Sequence, residues 1–251
     1  MNRLRTARPP AIDYPTRDGR PMGETDQHRD EMQKYAIEVL EDRYEDDPRI
    51  YVTGNNFVYY TEGVLEDVVS PDCYVVKGVA KHARDIYKVW EEGGRVPGFA
   101  LEVTSRKTRR EDLGDKMTKY RDELGVREYF LFDPRGEWIP EKLRGFALRE
   151  GLYDPVLPTA KGRLPSRELG LELGVDREGH LRFYPRGSDE PLPTQKERAG
   201  QERERARQEH ERARQEHERA ETAEAENRRL QAELERLRRG RSGGRPKKRK
   251  K

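Results

Sequence analysis

The sequence predicts an α/β domain, a mixed sheet flanked by helices, followed by a long charged C-terminal helix. Three observations predict it. Residues 97–134 (PGFALEVTSRKTRREDLGDKMTKYRDELGVREYFLFDP) run apolar strand, amphipathic helix, apolar strand. That order suggests a parallel pair joined by a right-handed crossover. Residues 137–190 supply short strand-like pieces split by Gly and Pro, consistent with an added antiparallel edge. Finally, the chain is 40% charged and 32% hydrophobic, poor for one compact domain of 251 residues. The deficit lies in the last quarter. From Thr194 onward there are 20 Lys and Arg against 12 Asp and Glu, net +8, and residues 1–193 carry net −5.

Taken in order, residues 1–24 are rich in Pro, Arg and Gly and are expected to be a flexible segment. Positive charge there is not followed by an apolar run, so no secretory signal is expected. From Thr25 to Tyr44, Met32, Tyr35, Ala36, Val39 and Leu40 recur at helical spacing. RIYVTG, NFVYYTEG and SPDCYVVKG then read as short strands, and the polar stretch 78–96 as a long connection. A strand over 98–104 precedes a helix whose start carries the capping-box pattern Thr108-Arg109-Arg110-Glu111. Leu113, Met117, Tyr120 and Leu124 form its predicted apolar stripe, and Gly125 stands where a left-handed cap is wanted. VREYFLFDP is the next strand, and KLRGFAL, LYDPVL and LRFYP follow as edge pieces, closing a domain over 25–193.

Residues 194–239 read as a charged heptad-repeat helix: ERARQEH occurs twice in succession, and ERA begins a third copy. With Ala206 at position a, only the last two heptads carry an apolar seam, of Leu230, Leu234 and Leu237, with Asn227 at an a position. A parallel coiled-coil dimer and a lone helix held by Glu/Arg pairs four apart both fit that pattern. GRSGGRPKKRKK, residues 240–251, reads as a disordered basic tail.

Glu102 interrupts the apolar run Phe99-Ala100-Leu101-Glu102-Val103. Strand alternation puts Phe99, Leu101 and Val103 on one face and Ala100, Glu102 and Thr104 on the other. Asp72 opens an earlier strand, with Tyr74 and Val76 on its own face. Two carboxylates converging from neighbouring strands repel each other unless a cation or proton sits between them. A hard divalent ion such as Mg²⁺, with Mn²⁺ as substitute, takes such oxygen donors together with waters and substrate phosphate. The ion can then activate water and neutralise charge on a phosphodiester.

SPDCYVV and the stretch Pro97–Pro134 resemble the Uma-two family of bacterial endonucleases, of the PD-(D/E)XK, or restriction-endonuclease-like, superfamily. The resemblance covers roughly residues 25–190. It implies a restriction-endonuclease-like mixed sheet flanked by helices and a Mg²⁺-dependent attack on nucleic-acid phosphodiesters. It implies Asp72 and Glu102 as metal ligands, with the main-chain carbonyl of Val103 as a third. The superfamily's pattern calls for a lysine at position 104, where this sequence has Thr104. Lys116 is the candidate replacement, since Lys116-x-x-x-Tyr120 is similar to a Gln-x-x-x-Tyr element of some relatives.

Each residue also has an ordinary reading. Asp72 could simply form a turn, Glu102 could pair with an arginine such as Arg106, Lys116 could be a solvated helix lysine, and Tyr120 could be core. The spacing of the set is what none of these explains. Glu31 could face the same site from the first helix. Arg106, Lys107, Arg109 and Arg110 form the nearest basic cluster for phosphate contact, and Lys247, Lys248, Arg249, Lys250 and Lys251 extend it in the tail. The single cysteine, Cys73, excludes an intramolecular disulfide framework, and no apolar run approaches a membrane span, so a cytoplasmic protein is expected. Expected partners are nucleic acid, DNA foremost, and a second copy of the chain through the domain or the C-terminal helix. The competing function is a catalytically degenerate nuclease fold serving as a nucleic-acid-binding or coiled-coil interaction module.

Overall fold

The structure is a computed structural model describing residues 12–16, 27–105 and 108–242, the side chains of 27–31, 33 and 239–242 excepted. Most of the flexible segment expected over 1–24, and the basic tail beyond 242, lie outside the described residues. The chain divides into two compact units, Met1–Gln195 and Lys196–Lys251. In the first, helix α1 (Gln27–Arg43) precedes β1 (Ile50–Thr53), β2 (Phe57–Tyr59), β3 (Val68–Val69), β4 (Cys73–Lys77), β5 (Ile86–Lys88) and β6 (Phe99–Val103). Two short helices follow, α2 (Arg109–Asp112) and α3 (Asp115–Thr118), then a π-helical turn over Lys119–Leu124. Strands β7 (Glu128–Phe132), β8 (Leu143–Arg149), β9 (Leu152–Pro155), β10 (Leu164–Ser166), β11 (Leu171–Val175) and β12 (Leu181–Pro185) complete the unit.

The central sheet is mixed, in the order β1-β4-β6-β7-β8-β9. Strands β6 and β7 are parallel, with Leu101 opposite Phe130 and Glu102 opposite Leu131, so the crossover expected from the strand–helix–strand order is present. β8 and β9 form the antiparallel edge expected from KLRGFAL and LYDPVL. LRFYP does not join that edge; as β12 it pairs with β11 in a separate antiparallel sheet, β10-β11-β12. The stretch 78–96 is not only a connection, since β5 pairs in parallel with β2 in a third small sheet. A three-residue strand among charged neighbours leaves no run of alternation to read.

Each face of the central sheet has its own core. Phe99, Leu101, Val103, Phe130 and Phe132 pack in one cluster with Tyr35, Ala36, Val39 and Leu40 of α1 and with Leu173 and Phe183 of the β10–β12 sheet. Gly145, opposite Phe130 in register, makes room there: a Cβ would lie 2.6 Å from the Phe130 ring. The other face gathers Ala100, Tyr120, Leu124, Val126, Tyr129 and Leu131.

The helix expected over 108–124 is broken. Thr108 Oγ1 accepts from the Ser105 amide at 3.1 Å and makes no cap bond to the helix, so the capping box is not formed. Gly114 interrupts the helix with φ −129° and ψ −96°, and a Cβ there would lie 2.8 Å from the Arg110 carbonyl. The break changes the phase of the stripe. Leu113 is 38% exposed, Asp112 is fully buried, and Tyr120 and Leu124 face inward as expected. Gly125 closes the π turn in the left-handed conformation, φ 66°.

In the second unit the described residues, from Lys196, belong to the charged helix α4 (Gln195–Ser242), exposed along nearly all of its described length. Glu/Arg pairs lie along it, Arg214–Glu218 at 3.6 Å and Arg228–Glu224 at 3.5 Å, as the repeat implies. Leu230, Leu234 and Leu237 are exposed. No helix of the described residues is long and apolar enough to cross a membrane.

Candidate active site

Antiparallel pairing of β4 with β6 brings the start of one strand beside the end of the other, and so Asp72 beside Val103. The Asp72 carboxylate accepts a hydrogen bond from the Val103 amide at 2.8 Å, which fixes it at the end of β6. Gly54 backs this corner. A Cβ at that position would lie 1.9 Å from the Asp72 carbonyl oxygen, so any other residue would push the Asp72 backbone away.

Glu102 is fully buried. Its Oε1 accepts from the Tyr120 hydroxyl at 2.7 Å, and its Oε2 accepts from Lys116 Nζ at 2.9 Å. An arginine is therefore not needed to explain its burial. The Glu102 carboxyl is pushed up to about 7: burial raises it most, Lys116 opposes the rise, and the neighbouring Asp72 adds to it. Burial works against the charge on Lys116, but the carboxylates of Glu102, Asp112 and Asp72 outweigh it and hold the ammonium charged.

Asp112 joins this group, although sequence reasoning does not single it out. Its carboxylate is fully buried, with Oδ1 3.1 Å from Lys116 Nζ. Burial and the nearby Glu102 raise its pKa to about 6, against the pull of Lys116 and Thr108. The signal that could have found it is the Asp112-x-x-x-Lys116 spacing, which joins opposite charges one helical turn apart. Reading Leu113 as the buried residue conceals it.

Asp72, Glu102, Lys116, Tyr120 and the backbone of Val103 are therefore in one place. Thr104 continues the same face, 2% exposed, with its hydroxyl lacking a protein partner among the described residues. Arg109 lies over the Trp138 ring at 3.9 Å, and Arg110 is exposed. The Glu31 side chain lies outside the described residues, as do Arg106, Lys107, Lys247, Lys248, Arg249, Lys250 and Lys251.

Three buried carboxyl groups, Asp72, Glu102 and Asp112, thus gather near one ammonium, with Glu102 and Asp112 in contact with it. The donor set is hard oxygen, and the orphaned Thr104 hydroxyl adds a polar group that wants a partner. Both features fit a divalent cation held by two carboxylates plus water. Elsewhere among the described residues, Asp176, Glu178 and His180 place their ligand atoms within 4.8 Å of one another. That trio sits in the β11–β12 turn, where Asp176 Oδ1 already accepts the amides of Glu178 and His180.

A family model described as "Uma2: Putative restriction endonuclease" matches residues 2–178. Among solved structures, the chain is similar to a "putative nuclease belonging to DUF820" from Anabaena variabilis ATCC 29413. That similarity has a TM-score of 0.40 and 14% identity, over 59% of this chain and 76% of that one. No curated protein matches. The chain belongs to the Uma2 family of restriction-endonuclease-like proteins.

Proposed function

We propose, from membership of that family, that the chain is a divalent-metal-dependent endonuclease hydrolysing phosphodiester bonds of nucleic acid, DNA in particular. The observation that carries the reading is the contact of Lys116 Nζ with Glu102 Oε2 at 2.9 Å. A lysine from the helix reaches the carboxylate that a strand lysine would otherwise accompany, which supports Lys116 as the replacement for the lysine missing at Thr104. Asp72, Glu102 and the Val103 carbonyl would hold Mg²⁺, or Mn²⁺ in its stead. When bound, such an ion lowers the pKa of water and offsets charge on the phosphoryl group.

The chain's own groups have separate tasks. Tyr120 fixes the Glu102 carboxylate through Oε1, and the Val103 amide fixes Asp72. Hydrolysis forms one P–O bond from water and breaks one ester P–O bond, a proton from the water ending on the leaving oxygen. Lys116, held charged, orients the attacking water and offsets charge that develops on the phosphoryl oxygens. Arg110 and Arg109 would contact flanking phosphates, with Arg106, Lys107 and the tail lysines and arginine adding to them. A cytoplasmic setting and self-association through the domain or α4 complete the proposal. For α4, the exposed Leu230, Leu234 and Leu237 are the residues that would pair, and sedimentation of the full chain reads it.

A second reading, a degenerate nuclease fold acting as a binding module, is favoured by Thr104 and by the fact that both Glu102 oxygens already have protein donors. Plasmid cleavage with Mg²⁺ or Mn²⁺, with and without EDTA, separates the two. Cleavage that EDTA abolishes is expected; a plasmid left intact under every metal condition selects the binding module.

A further inference from the structure

Metal binding would leave Glu102 with two obligations, to Lys116 and to the ion. An ammonium bound only to a metal ligand competes with the metal. The structure supplies a second holder. Lys116 Nζ lies 2.9 Å from Glu102 Oε2 and 3.1 Å from Asp112 Oδ1. The Asp112 backbone is itself fixed: its main-chain carbonyl accepts from the Tyr129 hydroxyl at 2.8 Å, a buried bond. Tyr129 stands on β7 with its ring 5.0 Å from that of Tyr120, the residue that fixes Glu102. The two tyrosines thus tie both acidic partners of Lys116 into one frame, and the Gly114 break turns Asp112 inward in place of Leu113.

We propose that Asp112 is a positioning residue that keeps the Lys116 ammonium at the active site when Glu102 turns to the metal. The proposal rests on the metal-nuclease reading. It gives Asp112 no contact with metal or substrate, and its effect on catalysis passes through Lys116.

The test uses the full chain, ¹⁵N-labelled, with the Lys116 ammonium signal assigned by its loss in Lys116→Arg. A paired, mostly buried ammonium gives a protected signal. In the parent protein that signal should shift and persist at saturating Mg²⁺. In Asp112→Asn, which keeps the shape of the side chain, it should be present without metal and lost when Mg²⁺ is added. Loss of the signal in the parent on Mg²⁺ addition, or its persistence in Asp112→Asn, overturns the proposal. A flat Mg²⁺ titration by calorimetry overturns the metal-site reading first, and this proposal with it. A second arm is single-turnover cleavage in a double-mutant cycle. Asp112→Asn should slow the parent about tenfold, as contacting residues do, and Lys116→Ala less than about twofold. Equal losses in the two backgrounds would show that Asp112 acts independently of the lysine.

Discussion

The two faces of β6 are built from neighbouring residues and have opposite characters. On one face Phe99, Leu101 and Val103 join a cluster of α1 and sheet side chains that is mostly apolar, its buried carboxylate, Glu128 opposite Phe99, being held by the Ser166 hydroxyl and the Arg167 amide. On the other, Ala100 is followed by Glu102 and Thr104, both buried, beside Tyr129 of β7 and under Tyr120, Asp112 and Lys116. Burying each large apolar side chain contributes about 1.5–3 kcal/mol. Burying a carboxylate costs free energy, visible here as the raised pKa of Glu102. The first face therefore explains why the domain folds, and the second holds an arrangement that folding alone does not call for. Conflicts between local chemistry and burial tend to mark functional sites.

The largest test of that contrast is on the apolar face. Phe130→Ala should lower stability by about 3–5 kcal/mol, since the ring is fully buried against Phe99. The cleavage rate per folded molecule, measured well below the unfolding temperature, should stay at the parent's level. A specific loss of rate in folded protein would break the division between the faces. Next comes Lys116→Ala, expected to slow single-turnover cleavage by about 10²–10³ while Mg²⁺ affinity by calorimetry is retained. Lys116→Arg should not restore the rate fully, because a planar fork does not replace a compact ammonium. Cleavage at the parent rate in Lys116→Ala would reduce the residue to a structural partner of Glu102.

A smaller effect concerns pH. Glu102 and Asp112 hold their protons more tightly in the folded chain, with values raised from 4.5 to about 7 and from 3.8 to about 6. The stability these groups contribute is fully present below their unfolded values and is lost as pH rises through the folded ones. Metal-free protein should therefore lose stability as pH rises between about pH 4 and pH 7. Mg²⁺ should oppose the loss, because it binds the ionised form and displaces protons. Calorimetric unfolding across that range, with EDTA and with Mg²⁺, reads the slope; a flat metal-free profile would contradict the burial cost assigned to this face.

Much of this is legible in the sequence. Alternation along Phe99–Val103 separates the two faces, and the strand–helix–strand order implies the parallel β6–β7 pair. Asp72, Glu102, Lys116 and Tyr120 follow from spacing and resemblance, and the fold brings them together. Asp112 is legible only through its spacing to Lys116, since apolar periodicity assumes an unbroken helix and marks Leu113 as the buried residue, whereas the helix breaks at Gly114. The role of Gly54 is hidden for a different reason: it depends on a contact with Asp72 across strands, and a lone glycine gives no sign of its neighbour.

The most direct test of the central claim is Glu102→Gln, followed by thermal unfolding with EDTA and with Mg²⁺. If the buried carboxylate serves a metal and not the fold, the variant keeps its shape and sheds a buried charge, and Lys116 retains Asp112. Its metal-free Tm at pH 8 should then equal or exceed the parent's, while the rise in Tm on adding Mg²⁺ disappears. A variant that unfolds many degrees below the parent without metal, yet still gains the parent's full Mg²⁺ stabilisation, would contradict the account and make Glu102 a structural partner of Lys116.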